Sequence, residues 1–177
     1  MKIFHYILIY SAFFSCKTTE ARKPLQQNSG QFMAESVQRN KDLNAREYAK
    51  INALIESSKI SFQRSDYGFW YSYNKSNNTS NYTPNFGDVV TYSYIVKHLD
   101  GTWIYPPETI QKQTYYVDQE NLFAGLREGL KLMKQQESMT FIFPSQLAYG
   151  YYGDDNQIGA NTPVIYNVTV HNIKTNP

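Results

Sequence analysis

Chemistry in this 177-residue chain has few places to start, because it holds 16 tyrosines but one cysteine, Cys16, and three scattered histidines. His5, His98 and His171 are too far apart for a zinc-type spacing, and no nucleophile stands beside a plausible base. The residue that invites a role is Tyr149. It ends the stretch Phe143-Pro144-Ser145-Gln146-Leu147-Ala148 and precedes Gly150, a turn-like setting that holds an aromatic out for use. Tyr94 and Tyr166 sit on alternating patterns, which by themselves read as core packing. Arg127 and Glu128 read as solvated helix charges, not as an acid–base pair.

The elements that position these residues follow from periodicity. Residues 32–57 turn helical: Tyr48, Ile51, Leu54 and Ile55 recur three and four apart with charge opposite, so the helix needs a partner surface. The favoured partner is its own domain, and a second copy is the alternative. Tyr67-Gly68-Phe69-Trp70-Tyr71-Ser72-Tyr73 reads as a strand, and residues 74–85, rich in Asn, Ser and Thr, as a loop. Val90, Tyr92, Tyr94 and Val96 fall on one face of a strand that ends in an Asp100-Gly101 hairpin turn. Tyr115-Tyr116-Val117 reads as another short strand. Leu122, Leu126, Leu130 and Met133 mark one face of a short helix that Asp118 or Asn121 would cap. Gly125 and Gly129 weaken that helix but let a neighbouring backbone or sheet approach. Met139, Phe141 and Phe143 alternate, as do Val164, Tyr166, Val168 and Val170. The class expected is α+β: an antiparallel sheet wrapped around a short helix and preceded by an N-terminal helix.

Composition agrees with a folded globule, at 41% apolar and 18% charged residues, and the 16% aromatic content leans towards β structure. A formal charge of +2 without a basic stripe argues against nucleic acid as a partner. At the N-terminus, Met1-Lys2 leads into an apolar run that closes on Ser15-Cys16, too short to span a bilayer. This is similar to a bacterial lipoprotein signal, with Cys16 as the acylated residue and an envelope protein facing the periplasm as the outcome; the alternative is an ordinary signal peptide with an incidental cysteine at its end. Phe13 stands where such signals usually carry Leu. The expected organisation is a signal peptide over 1–15, a tether over 16–31, a helical extension over 32–66 and a main domain over 67–177.

Four motifs in order carry a family resemblance: Gly87-Asp88-Val89-Val90-Thr91-Tyr92-Ser93-Tyr94, Gly125-Leu126-Arg127-Glu128-Gly129-Leu130-Lys131-Leu132-Met133, Phe143-Pro144-Ser145-Gln146-Leu147-Ala148-Tyr149-Gly150, and the final strand from Val164 to Ile173. Together they resemble the FKBP-type peptidyl-prolyl isomerases, over roughly half the chain. The leader, with Gly68-Phe69-Trp70-Tyr71, is similar to the gliding-motility-associated FKBP lipoproteins. The resemblance implies isomerisation of X-Pro bonds in proline-containing proteins or peptides, without cofactor or metal. It places Tyr94, Tyr149 and Tyr166 on catalytic aromatic positions, and Ile104, Tyr105, Leu122, Phe123, Leu126, Ala148 and Ile158 on the substrate-binding surface. Leu122 and Phe123 fall where a main-chain N–H meets the substrate carbonyl, Leu126 on the pocket floor and Ile158 on its rim. Three positions depart from the family's habit: Ile104 for Phe, Tyr105 for Asp and Leu126 for Trp.

The reaction implied needs no nucleophile. Rotation about the peptide bond meets a barrier of about 18–20 kcal/mol, while the two X-Pro isomers differ by about 1 kcal/mol. At the twisted midpoint the amide loses resonance and its carbonyl becomes less dipolar, so a dry apolar cavity favours it relative to water. Aromatic walls would grip the proline ring, and the Tyr149 hydroxyl could donate to a substrate carbonyl. The alternative function is a non-catalytic chaperone or scaffold that keeps the fold and binds a partner through the groove or the leader helix.

Overall fold

The computed structural model describes residues 29–176. The expected signal peptide, Cys16 and most of the expected tether lie outside these residues. Helix α1, Ser29–Ser57, begins slightly before the start read from sequence and takes up the last tether positions. The chain divides between Val37 and Gln38. In the stretch before that division Phe32, Met33 and Val37 are exposed.

Beyond the division seven strands build one antiparallel sheet: β1 (Gln63–Arg64), β2 (Trp70–Lys75), β3 (Val89–Lys97), β4 (Trp103–Tyr105), β5 (Gln113–Tyr116), β6 (Ser138–Phe143) and β7 (Val164–Lys174). The strand order is β1-β2-β6-β7-β3-β4, with β5 also paired to β3. Its spine is the β3–β7 pairing, in which Tyr94 lies opposite Val168 and Val96 opposite Tyr166. Helix α2, Ala124–Lys131, packs on one face. The alternation legible in β7 holds: Val164, Tyr166, Val168 and Val170 are all buried against that helix. Leu126, Leu130 and Met133 meet them from the other side. Burying each such side chain contributes about 1.5–3 kcal/mol.

Glycine sets how closely helix and sheet approach. A Cβ on Gly125 would stand 2.6 Å from the Phe143 ring and 2.7 Å from the Leu147 carbonyl oxygen, and one on Gly129 3.1 Å from the Phe141 ring. The two glycines thus admit side chains of β6 and, at Gly125, the backbone just after it, the close approach that residues without a side chain allow.

The opposite face carries a second, smaller core. Ile142 of β6 and Trp70 of β2 point away from α2 and are covered by Ile51 of α1, with Tyr48, Leu54 and Ile55 packed around them. The amphipathic face of α1 is thus seated on its own domain from Tyr48 onwards.

Three expectations need correction. The strand expected over Tyr67–Tyr73 starts only at Trp70, because Ser65 to Phe69 form a tight turn: Gly68 N–H donates to the Ser65 carbonyl and Ser65 N–H to that of Phe69. Gly68 sits at φ +96°, a conformation glycine alone adopts freely, and so makes the β1–β2 hairpin that alternation did not reveal. Neither Asp118 nor Asn121 caps α2: Phe123 holds the N-cap without a side-chain bond. Asp118 instead reaches Lys131 at 2.8 Å and Arg127 at 3.8 Å on the helix flank. Glu128 is not solvated either, since its side chain is largely covered, between Arg127 at 3.5 Å and Lys131 at 3.3 Å.

Candidate active site

The site grows from four aromatic residues supplied by separate elements. Tyr94 rises from the middle of β3 and Tyr166 from β7, which pairing brings side by side, ring centres 5.1 Å apart. Phe123 stands at the entrance to α2, with its ring 5.4 Å from Tyr166 and 5.0 Å from Tyr149. Tyr149 comes from the turn after β6, and its hydroxyl lies 3.1 Å from that of Tyr166. Beneath them Phe143 packs edge-on against Phe123 and Tyr166.

Beside this group a depression of about 120 Å³ opens, lined by Tyr94, Tyr105, Thr109, Gln111 and Gln113. Tyr105 ends β4, Thr109 closes the short turn Pro107–Thr109, and Gln113 begins β5. The Tyr105 hydroxyl donates to the carboxylate of Asp154, a very short contact, and accepts the Gln157 N–H at 3.4 Å. Asp154 in turn accepts the N–H groups of Asn156 at 3.0 Å and Ile158 at 2.7 Å. The acid therefore ties the β4 end to the segment leading into β7. A larger groove, about 300 Å³, lies on the opposite sheet face among Leu54, Phe62, Leu99, Ile142 and Ile165.

Burial keeps the hydroxyls protonated. It is the main cause holding the Tyr94, Tyr149 and Tyr166 phenols above their ordinary range, Tyr166 most of all, and the Asp154 charge adds to each. Burial also raises Tyr105, helped by its bond to Asp154. Burial alone would raise the Asp154 carboxyl as well. The bonds it accepts from Tyr105, Ile158 and Asn156 win, and it stays below the usual carboxylate range. At neutral pH the site offers phenolic donors around one fixed negative charge.

Of the residues singled out from sequence, Tyr94, Leu122, Phe123, Tyr105, Ala148 and Tyr149 gather half-buried against the main core. Tyr166, Leu126, Ile104 and Ile158 are buried outright, so they back the site and offer no open wall. Periodicity did not reveal Asp154, Thr109, Gln111 or Gln113. The pair Asp154-Asp155 before Asn156 was the one available sign of a bonded turn there. Among the described residues no group of three His, Cys, Asp or Glu is placed to hold a metal ion. Among them, too, no helix is long and apolar enough to cross a membrane.

A sheet wrapped on a short helix, with tyrosines and a phenylalanine converging at the helix entrance, defines an α+β domain with an aromatic cluster at one end of that helix. The family model for FKBP-type peptidyl-prolyl cis-trans isomerases matches residues 80–171, just over half of the chain, and the chain belongs to that family. It is 29% identical over 85 residues to a probable FKBP-type peptidyl-prolyl cis-trans isomerase, FkpA, of Neisseria meningitidis serogroup B. That match covers 48% of this chain but only 31% of the relative, about a third of its length. Two solved structures share the fold. One is a peptidyl-prolyl cis-trans isomerase of Pseudomonas syringae pv. tomato, with a TM-score of 0.61 and 16% identity over 76% of this chain and 96% of that one. The other is FkpA of Escherichia coli, with a TM-score of 0.60 and 20% identity over 100% of this chain and 84% of that one.

Proposed function

We propose that this chain is a peptidyl-prolyl cis–trans isomerase that acts on X-Pro bonds of exported proteins and assists their folding. The observation that carries the reading is the convergence of Tyr94, Phe123, Tyr149 and Tyr166, of which Tyr94, Phe123 and Tyr149 keep exposed surface. A proline ring would lie against Tyr94 and Phe123, and Tyr149 would donate to a carbonyl of the substrate backbone. Leu122 and Phe123, both half-buried, would receive the other carbonyl on a main-chain N–H. Contact with the aromatic side chains would favour the less dipolar twisted amide, and no covalent intermediate would form. The apolar run after Met1-Lys2 supports an exported setting. The Ser15-Cys16 junction supports lipid attachment at Cys16 and an envelope location facing the periplasm. The likeness of the leader to gliding-motility lipoproteins supports a role in that setting.

A second reading has its own observation. Tyr166 and Leu126 are sealed, and the open depression beside the aromatic group is only about 120 Å³, as befits a domain that grips a prolyl segment without turning it over. An assay that follows cis-to-trans conversion of X-Pro peptides by the full chain separates the two. Turnover well above the uncatalysed rate supports the enzyme. Saturable binding without turnover supports the scaffold and removes the isomerase reading.

A further inference from the structure

Glu47 is a carboxylate buried on α1, at 4% exposure, and it spends both oxygens on one residue. Its Oε2 accepts the Ser145 N–H at 2.8 Å and its Oε1 the Ser145 hydroxyl at 2.6 Å, across 98 positions of sequence. Ser145 is itself buried, and its carbonyl accepts two further N–H groups, from Ala148 at 3.0 Å and from Gly150 at 2.8 Å. Those two bonds bracket Tyr149. A continuous run of hydrogen bonds therefore leads from the N-terminal helix to the backbone on either side of the residue proposed to meet the substrate carbonyl. The same turn is gripped next door: Gln146 accepts from Asn44 at 2.8 Å and donates to the Tyr48 hydroxyl at 2.9 Å.

Adhesion of α1 to the sheet does not explain Glu47. Tyr48, Ile51, Leu54 and Ile55 already seat the helix, and a buried carboxylate is a costly way to add contact. What it adds is direction. Its two oxygens fix one N–H and one hydroxyl together, and so set both the position and the rotation of the turn's first residue. A turn held only at its ends would leave Tyr149 free to shift, and misplacement of a reacting group by about 1 Å can cost a hundredfold in rate.

We infer that Glu47 is a positioning residue for the isomerase site, acting through Ser145 on Tyr149. The N-terminal helix is then part of the working domain and not only a spacer before it. The inference rests on the isomerase reading above. Its test is a double-substitution cycle on kcat/KM for an X-Pro peptide, with the full chain in detergent. Glu47→Ala is expected to lower kcat/KM about tenfold. Glu47→Gln keeps an acceptor for the Ser145 N–H and offers a donor to its hydroxyl, so it should recover to within about threefold of the native value. In a Tyr149→Ala background Glu47→Ala should change kcat/KM by less than about twofold, because the group being positioned is gone. An equal loss in both backgrounds would mean general loosening of the domain and would overturn the inference. So would an unaltered kcat/KM in a folded Glu47→Ala protein. If Glu47→Ala does not fold, Ser145→Ala, which removes the hydroxyl arm alone, carries the same cycle. If the native chain turns over no X-Pro peptide, the isomerase reading falls by itself. The cycle is then read on affinity for a proline peptide, where coupling between Glu47 and Tyr149 sustains the positioning role and its absence ends it.

Discussion

The hydroxyls of Tyr149 and Tyr166 lie 3.1 Å apart, but only Tyr149 keeps exposed surface. Tyr166 is fully buried, and its O–H must be satisfied inside the protein. Donation from Tyr166 to Tyr149 meets that need and leaves the Tyr149 proton free to point into the site. The buried member of the pair thus orients the exposed one.

That order sets an expected ranking of hydroxyl deletions. Tyr149→Phe should lower kcat/KM on an X-Pro peptide about five- to tenfold, the worth of one hydrogen bond of roughly 1–1.4 kcal/mol. Tyr166→Phe should lower it only about threefold, since Tyr149 can still donate once its partner is gone. Assays on both variants, with melting curves alongside, check the ranking. The reverse order would assign the substrate bond to Tyr166.

Gly125→Ala should destabilise the domain even though alanine is the better helix former. The helix preference favours Ala by about 1 kcal/mol. Against it, the new methyl would stand 2.6 Å from the Phe143 ring and 2.7 Å from the Leu147 carbonyl oxygen, and the carbonyl is backbone and cannot swing away. Overpacking of that kind costs about 1–3 kcal/mol. Gly129→Ala, which meets only the edge of Phe141 at 3.1 Å, should lose less. Urea titrations of the two variants decide this, and equal midpoints would contradict the close approach of α2 to β6.

Acid should loosen the domain before alkali does. Burial would raise the carboxyls of Asp88 and Asp154, but the hydrogen bonds they accept outweigh it and hold both below the usual range. Asp88 takes them from the Tyr82 hydroxyl at 2.6 Å and from the N–H groups of Asn85 at 2.8 Å and Asn176 at 3.0 Å. A carboxyl depressed in the folded state contributes stability above its unfolded value, near 3.9, and loses it as pH falls through the folded value. Melting temperature should therefore hold level from about pH 5 to 8 and decline below about pH 4. Asp154→Asn should make that decline shallower while lowering the plateau. A melting temperature that climbs on acidification would refute the assignment.

Cys16→Ser should move the protein from the membrane to the soluble fraction. One acyl chain holds a protein to a bilayer only marginally, whereas two or more give stable attachment. Fractionation of cells carrying native and substituted chains, with a labelled fatty acid, reads this directly. A substituted protein that stays with the membrane, beside a native one that takes up no label, would rule out lipid at Cys16.

Much of the fold is legible in the sequence, and for a local reason. Burial on a strand repeats every two residues and on a helix every three or four, so Val164, Tyr166, Val168 and Val170, or Tyr48, Ile51 and Ile55, announce their faces in the order of the chain. Gly125 and Gly129 likewise signalled a close neighbour by lacking a side chain. The turn that carries Tyr149 is legible because proline and glycine punctuate it. Other relationships had no local trace. Asp118 looked like a cap and became the partner of Lys131, since a carboxylate before a helix can reach either its N–H groups or its flank. Asp154 meets Tyr105 across 49 positions, and Glu47, which helical spacing puts on the side of Ile51 and Leu54 without saying what it meets there, is buried on Ser145 across 98. Periodicity tells a side chain which way to face, but the atom it finds there belongs to another element. Only the packing of α1 and the sheet, which brings distant segments within about 3 Å, chose those partners.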